Sequence, residues 1–189
     1  VVTGSSSGNV HIHGTLKSSR GGWEWFDSQD VSQKIRQLEQ NPPIEQSGNS
    51  IRVGHVREKN LLRGVSMRLE ITVPADTKVR ANADSGGVRV TGVKGPVECK
   101  TDSGGIEAYD IGSTVNASAD SGGIHVRNVH GGVVAHADSG GLELINIAGS
   151  VEAKTDSGGI RIEQSAPGPI LARADSGGAR IRRSEEHTS

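Results

Sequence analysis

The tetrapeptide Asp-Ser-Gly-Gly begins at Asp84 and returns at Asp102, Asp120, Asp138, Asp156 and Asp175, at intervals of 18, 18, 18, 18 and 19 residues. A fixed short period of this kind means a stack of like supersecondary units. The one longer interval contains Ala166-Pro167-Gly168-Pro169, a stretch in which a loop absorbs an extra residue. With Asp as position one, position five reads Val88, Ile106, Ile124, Leu142, Ile160 and Ala179, and position seven Val90, Ala108, Val126, Leu144, Ile162 and Ile181. Two apolar residues around one polar residue are the period-two pattern of a half-buried strand. Positions ten (Val93, Ile111, Val129, Ile147), fourteen (Val97, Val115, Val133, Val151, then Ile170) and sixteen (Cys99, Ala117, Ala135, Ala153, Ala172) are apolar too. Each repeat therefore holds two short strands, joined on one side by Asp-Ser-Gly-Gly and on the other by a bend containing Gly or Asn.

Eighteen residues are too few for a strand, a crossover helix and a second strand, which need about 30. They suit one coil of a parallel β-solenoid, in which each strand pairs with its counterpart about 4.8 Å away. Position six offers an independent check. It reads Arg89, Glu107, His125, Glu143, Arg161 and Arg180, so in-register stacking sets unlike groups together at every step but the last. Such pairs add a few tenths of a kcal/mol each. Ala or Thr at position eighteen (Thr101, Ala119, Ala137, Thr155, Ala174) lines a corner too narrow for larger groups. The predicted fold is all-β: a parallel β-solenoid of about 18 residues per coil with one short N-terminal helix, and parallel crossovers favour a right-handed coil. A chain that is 32% hydrophobic and 2% aromatic can fold this way, because each coil covers its neighbours.

Charge argues against a nucleic-acid partner. Residues 1 to 83 carry 11 basic and 8 acidic side chains, residues 84 to 182 carry 9 and 12, and no basic footprint stands out. Cys99, the single cysteine, stands in an alanine column and reads as a small buried hydrophobe. No apolar run approaches the roughly 20 residues that span a bilayer, and no signal-peptide pattern is visible. The chain starts at Val1 without an initiator Met, as a fragment does. Residues 183-189, Arg-Ser-Glu-Glu-His-Thr-Ser, back-translate as the start of a common sequencing-library adapter. They are expected to be read-through, with the natural protein continuing into at least part of another coil.

Before the regular array the chain is less uniform. Val10 and Ile12 face inward on a first strand, which turns His11 and His13 outward together; two imidazoles fall short of the three or four ligands a zinc site takes. Trp23, Trp25 and Phe26 make an aromatic cluster expected to plug an open end of the core. A helix is expected over about 28-40: Asp27 or Ser28 is its N-cap, Val31, Ile35 and Leu38 its apolar stripe, and Asn41-Pro42-Pro43 its stop. Val65 to Val73 alternates as a strand, and Val79, Ala81 and Ala83 already occupy columns fourteen, sixteen and eighteen. The expected division is 1-80 for N-terminal strands and capping helix, and 81-182 for the regular repeats.

The one candidate site is the aspartate column. Asp84, Asp102, Asp120, Asp138, Asp156 and Asp175 at about 4.8 Å spacing repel by about 1 kcal/mol per neighbouring pair even in water. A calcium ion would relieve that repulsion, although the Gly-x-Gly-x-Asp alternation of calcium-binding turns is missing. The alternative is local. Each Asp accepts bonds from following amides in an Asx-turn, and the glycine pairs Gly86-Gly87, Gly104-Gly105, Gly122-Gly123, Gly140-Gly141, Gly158-Gly159 and Gly177-Gly178 supply positive φ. A carbohydrate-cleaving β-helix would need paired carboxylates in a non-repeating cleft, whereas here the polar positions repeat coil by coil. No catalytic residue and no cofactor is expected.

One resemblance adds to these readings. Ile71-Thr72-Val73-Pro74-Ala75-Asp76-Thr77 leading into Ala83-Asp84-Ser85-Gly86-Gly87-Val88-Arg89-Val90, with Asn41-Pro42-Pro43-Ile44-Glu45-Gln46-Ser47-Gly48-Asn49 upstream, is similar to a bacterial β-strand-repeat family of adhesin-like domains of unknown function. The helix and the Asn-Pro-Pro stretch resemble members from soil bacteria such as acidobacteria. The resemblance covers residues 1 to 182, although the family's usual turn is Ser-Gly-Asp or Ser-Gly-Ser. It implies a right-handed β-helix-like fold and an exported or envelope-associated protein, and it brings no catalytic residues. The expected role is a non-enzymatic structural or interaction module, its partner an unidentified protein or envelope component, with calcium binding as the alternative.

Overall fold

A computed structural model of the chain describes residues 1–18, 28–54, 56 and 59–183. In order, the elements are β1 (Val2–Ser5), β2 (His11–Ser18), α1 (Ser28–Gln40), β3 (Ile44–Ser47), β4 (Ser50–Val53), a 3-10 turn (Lys59–Leu62), β5 (Val65–Pro74), β6 (Val79–Ala83) and β7 (Val88–Thr91). The array continues with β8 (Val97–Thr101), β9 (Ile106–Ile111), β10 (Val115–Ser121), β11 (Ile124–Val129), β12 (Val133–Ser139), β13 (Leu142–Ile147), β14 (Val151–Ser157), β15 (Ile160–Gln164), β16 (Ile170–Ser176) and β17 (Ala179–Arg183). The chain forms two compact units, Val1–Ile12 with Glu70–Ser189, and His13–Leu69. The first strand thus belongs to the same unit as the array.

The first unit is the parallel solenoid. Odd strands β7 to β17 stack in one sheet and even strands β6 to β16 in the other, every described pair parallel. Register follows the repeat: Arg89 faces Glu107, His125 faces Glu107 and Glu143, and Arg161 faces Glu143 and Arg180. Columns five, seven, ten, fourteen and sixteen are buried from Val88 to Ile162, and Ile106, Ile124, Val126 and Leu144 are fully so. The cover runs out at the last coil, where Ile181, in column seven, is 46% exposed; Leu171, 64% exposed, stands in the outward column beside Glu152. In the narrow corner, the buried Thr101 and Thr155 hydroxyls donate to the carbonyls of Gly104 and Gly140, at 2.6 and 3.0 Å.

Two features depart from simple repetition. Strand β1 lies between β5 and β7, with Val2 opposite Ile71 on one side and Val90 on the other. It places Val2 in column seven, and a Cβ on Gly4 would strike the Gly92 carbonyl. The second departure is in the long coil. There the register shifts so that Gln164, not a left-handed corner residue, faces Ile147 and enters column ten. The 19-residue interval is therefore one residue short at that corner and two long in the loop that follows. Gln164 is 2% exposed; its Nε2 donates to the Gly149 carbonyl at 2.8 Å, and its Oε1 is buried without a partner among the described residues.

The second unit holds the helix where the apolar stripe and the Asn-Pro-Pro stop put it, at Ser28–Gln40 with Leu38 buried. Asn41 closes its last turn on the Gln37 carbonyl at 3.0 Å, and Lys34 pairs with Asp30 at 2.6 Å one turn apart. Strands β3 and β4 form an antiparallel hairpin whose turn uses Gly48 at φ 56°. Asp27 and the aromatic cluster Trp23, Trp25 and Phe26 lie outside the described residues.

Candidate functional site

The six aspartates form the straight outward column that the spacing predicts, and all are exposed. Their turns differ from expectation in two ways. Among the described residues, no backbone amide bonds the carboxylates of Asp84, Asp102, Asp120 or Asp138, so the Asx-turn is not formed. Instead, main-chain bonds tie one turn to the next, as from the Ser103 amide to the Asp84 carbonyl and from the Ser121 amide to the Asp102 carbonyl, both at 2.9 Å. Nor is positive φ the general reason for the glycines: of the twelve, only Gly158 and Gly177 take it, at 157° and 146°. The reason is crowding. A Cβ on Gly104, Gly122, Gly140, Gly158 or Gly177 would lie closer than 3.0 Å to the carbonyl of the matching glycine one coil before. The second glycine of each pair meets no such obstacle; at Gly141 the nearest atom would be 3.5 Å away.

The aspartate column does not stand alone on its face. Two residues earlier on the same outer surface runs Asn82, Lys100, Ser118, His136, Lys154 and Arg173, a column with cationic or ionisable groups at four places and no acid. Arg173 donates to Asp175 at 2.9 Å and Lys154 lies 3.7 Å from Asp156. At Asp156 and Asp175 the repulsion within the aspartate column is thus offset by a neighbouring cation. Among the described residues, no three His, Cys, Asp or Glu side chains converge in a metal-binding group.

The opposite sheet carries the charge ladder of column six. Arg89 bonds Glu107, and Glu143 accepts from Arg127 at 2.9 Å, sits 3.1 Å from His125 Nδ1 and 3.5 Å from Arg161. The Arg89 guanidinium holds the Glu107 carboxyl below the usual range, and bonds from Arg127 and His125 do the same for Glu143. Where like charges meet, Arg161 turns from Arg180 and bonds Glu163 at 2.7 Å.

A third ladder lies outside the expected set. Gly92, Asp110, Asn128 and Asn146, at position nine, all have positive φ, from 57° to 70°. Asn128 donates to Asp110 and Asn146 to Asn128, both at 2.8 Å. Its signal in the sequence is the 18-residue recurrence of the residue types that tolerate left-handed backbone.

The remaining single residues are quiet. Burial pushes the Cys99 thiol up to about 12, which suits a core residue and no nucleophile. His11 and His13 are exposed on β2, and Val10 packs on the solenoid core. No described helix is long and apolar enough to cross a membrane. What the faces present is a set of stacked polar ladders, each made of one position repeated coil by coil.

No significant match is found among curated proteins or among solved structures. A family model does match, over residues 27–189, and its description is Toastrack DUF4097. With that match covering most of the chain, and with the parallel solenoid already in hand, the chain belongs to the Toastrack DUF4097 family, a domain of unknown function.

Proposed function

We propose that this protein is a non-enzymatic structural and interaction module, adhesin-like and associated with the cell envelope, whose flat sheet faces hold a protein or envelope component. The observation that carries the reading is the use made of the polar side chains. Arg80 and Glu98, Arg89 and Glu107, Arg127 and Glu143, Asn128 and Asp110, and Asn146 and Asn128 all bond one another between coils. Groups so engaged lock the register of a rigid, ridged surface with a repeat of about 4.8 Å. Catalysis asks for the opposite arrangement, with unlike groups from several positions aimed at one reacting atom. The resemblance to adhesin-like bacterial repeats supports the placement at the envelope.

The test is co-sedimentation of purified protein with two probes, peptidoglycan sacculi and total-membrane vesicles from a Gram-negative bacterium. Saturable pelleting with at least one of them is expected, and protein that stays in the supernatant with both overturns the envelope reading.

A further inference from the structure

Beside a mixed column of Arg80, Glu98, Asn116, Val134, Glu152 and Leu171, the outer face of the sheet formed by β6 to β16 carries two parallel lines of opposite character. One is the column of Lys100, His136, Lys154 and Arg173; the other is the aspartate column, two residues further along each strand and so about 7 Å away. Both are open to solvent: the side chains of Lys154 and Asp156 are 47% and 54% exposed, and those of Arg173 and Asp175 are 69% and 48%. Two of the cations lie beside the aspartate of their own coil, Lys154 at 3.7 Å and Arg173 at 2.9 Å, while His136 lies 3.8 Å from Glu152; strand pairing keeps the cationic line in register along the array.

Two such lines side by side are self-complementary under one particular rotation. If a second copy is turned by 180° about an axis that runs along the solenoid midway between the lines, its cationic line falls on the first copy's aspartate line, and the reverse. The axis preserves coil number, so Lys154 meets Asp156 of the second copy while Asp156 meets its Lys154, as an isologous contact requires. A two-fold axis running parallel to the strands would instead set cation on cation and carboxylate on carboxylate, which is repulsive.

We propose that this face is a docking surface for a second copy of the same chain, joined face to face in a parallel dimer by the paired cationic and aspartate columns. Charge complementarity is what selects the second copy. A polyanion laid on the cationic line would meet the aspartates alongside it, and a polycation on the aspartate line would meet the cations; only a partner with both lines at the same spacing satisfies both. Because the contact is ionic and solvent-accessible, salt weakens it steeply. The dimer stands independently of envelope binding, and its test uses purified protein with no envelope material, so either idea can fail without the other.

The experiment is sedimentation velocity over a range of concentrations, at about 20 mM and about 500 mM salt, where the screening length drops from tens of ångströms to a few. A concentration-dependent dimer at low salt, weakened at least tenfold at high salt, is the expected result. The triple variant Lys100→Asp, Lys154→Asp, Arg173→Asp is expected to be monomeric. Mixing it with the reciprocal variant Asp102→Lys, Asp156→Lys, Asp175→Lys restores a dimer. Should either triple variant fail to fold, cysteine pairing replaces it: a chain with Ser118→Cys and a chain with Asp120→Cys form the mixed disulfide in preference to either homodisulfide. A wild-type chain that stays monomeric at low salt and every concentration overturns the proposal. So does a dimer indifferent to salt, or one that cross-links without the mixed preference.

Discussion

At the scale of single residues, the two glycines of each Asp-Ser-Gly-Gly turn do different work. From Gly104 on, the first packs against the carbonyl of its counterpart in the preceding coil, too closely for a Cβ, while a Cβ on the second would come no closer than 3.3 Å to any atom. Gly140 and Gly141 separate the two roles within one turn. Gly140→Ala is expected to cost about 1–3 kcal/mol through overpacking against backbone that cannot rotate away. Gly141→Ala should stay within about 0.5 kcal/mol of the parent. Chemical denaturation of both variants, read as a change of midpoint at constant slope, checks the contrast. That these glycines are structural is legible from their recurrence. Which of each pair is indispensable is not, because the obstacle is an atom 18 residues away in the chain.

At the scale of the element, β15 shows how one coil absorbs an irregular repeat. The coil loses its left-handed corner residue, so Gln164 slides into a column filled elsewhere by Val93, Ile111, Val129 and Ile147. Its amide nitrogen finds the Gly149 carbonyl, but its oxygen is left buried and unpaired. An orphaned buried acceptor costs about 1–3 kcal/mol, somewhat more than one ordinary hydrogen bond contributes. Gln164→Met, which keeps the length and removes the oxygen, is therefore expected to stabilise the protein by about 1 kcal/mol, measured by the same denaturation midpoint. An equal loss would mean that the Gly149 bond outweighs the orphan. Spacing alone places one extra residue between repeats; the deletion at the corner and the longer loop become visible only through pairing.

At the scale of the whole molecule, stability is set by how many neighbours each coil has. Interior coils are covered on both sides, whereas the last described coil is covered on one, which leaves Ile181 46% exposed where Ile124 has no exposed surface. In a linear array, stability is close to a sum of coil and interface terms, so the same truncation has unequal effects along it. Ile124→Ala is expected to cost about 2–5 kcal/mol, the range for emptying a packed core site. Ile181→Ala should cost less than about 1 kcal/mol, since much of its side chain remains in water. Calorimetry of the two variants compares them directly, and equal losses would mean that the end coil is buried by something beyond the described residues.

The repeat, the parallel coil, the core columns and the stacking of column six were legible from the order of residues alone. All of these follow from a strict period: in-register stacking of like strands sets each position against itself, so one coil predicts the next. The helix was legible for the same kind of local reason, a stripe at helical spacing with a proline stop. Contacts between unlike positions, by contrast, came from packing in three dimensions. Val2 enters column seven between β5 and β7, although the chain separates it from those strands by more than sixty residues. Lys154 and Arg173 pair with Asp156 and Asp175, two members of an aspartate column that looks like bare repulsion when read alone. Position nine becomes a hydrogen-bonded ladder because its left-handed corner turns each side chain toward the next. A period specifies which residues stack, and packing in three dimensions decides which different columns meet.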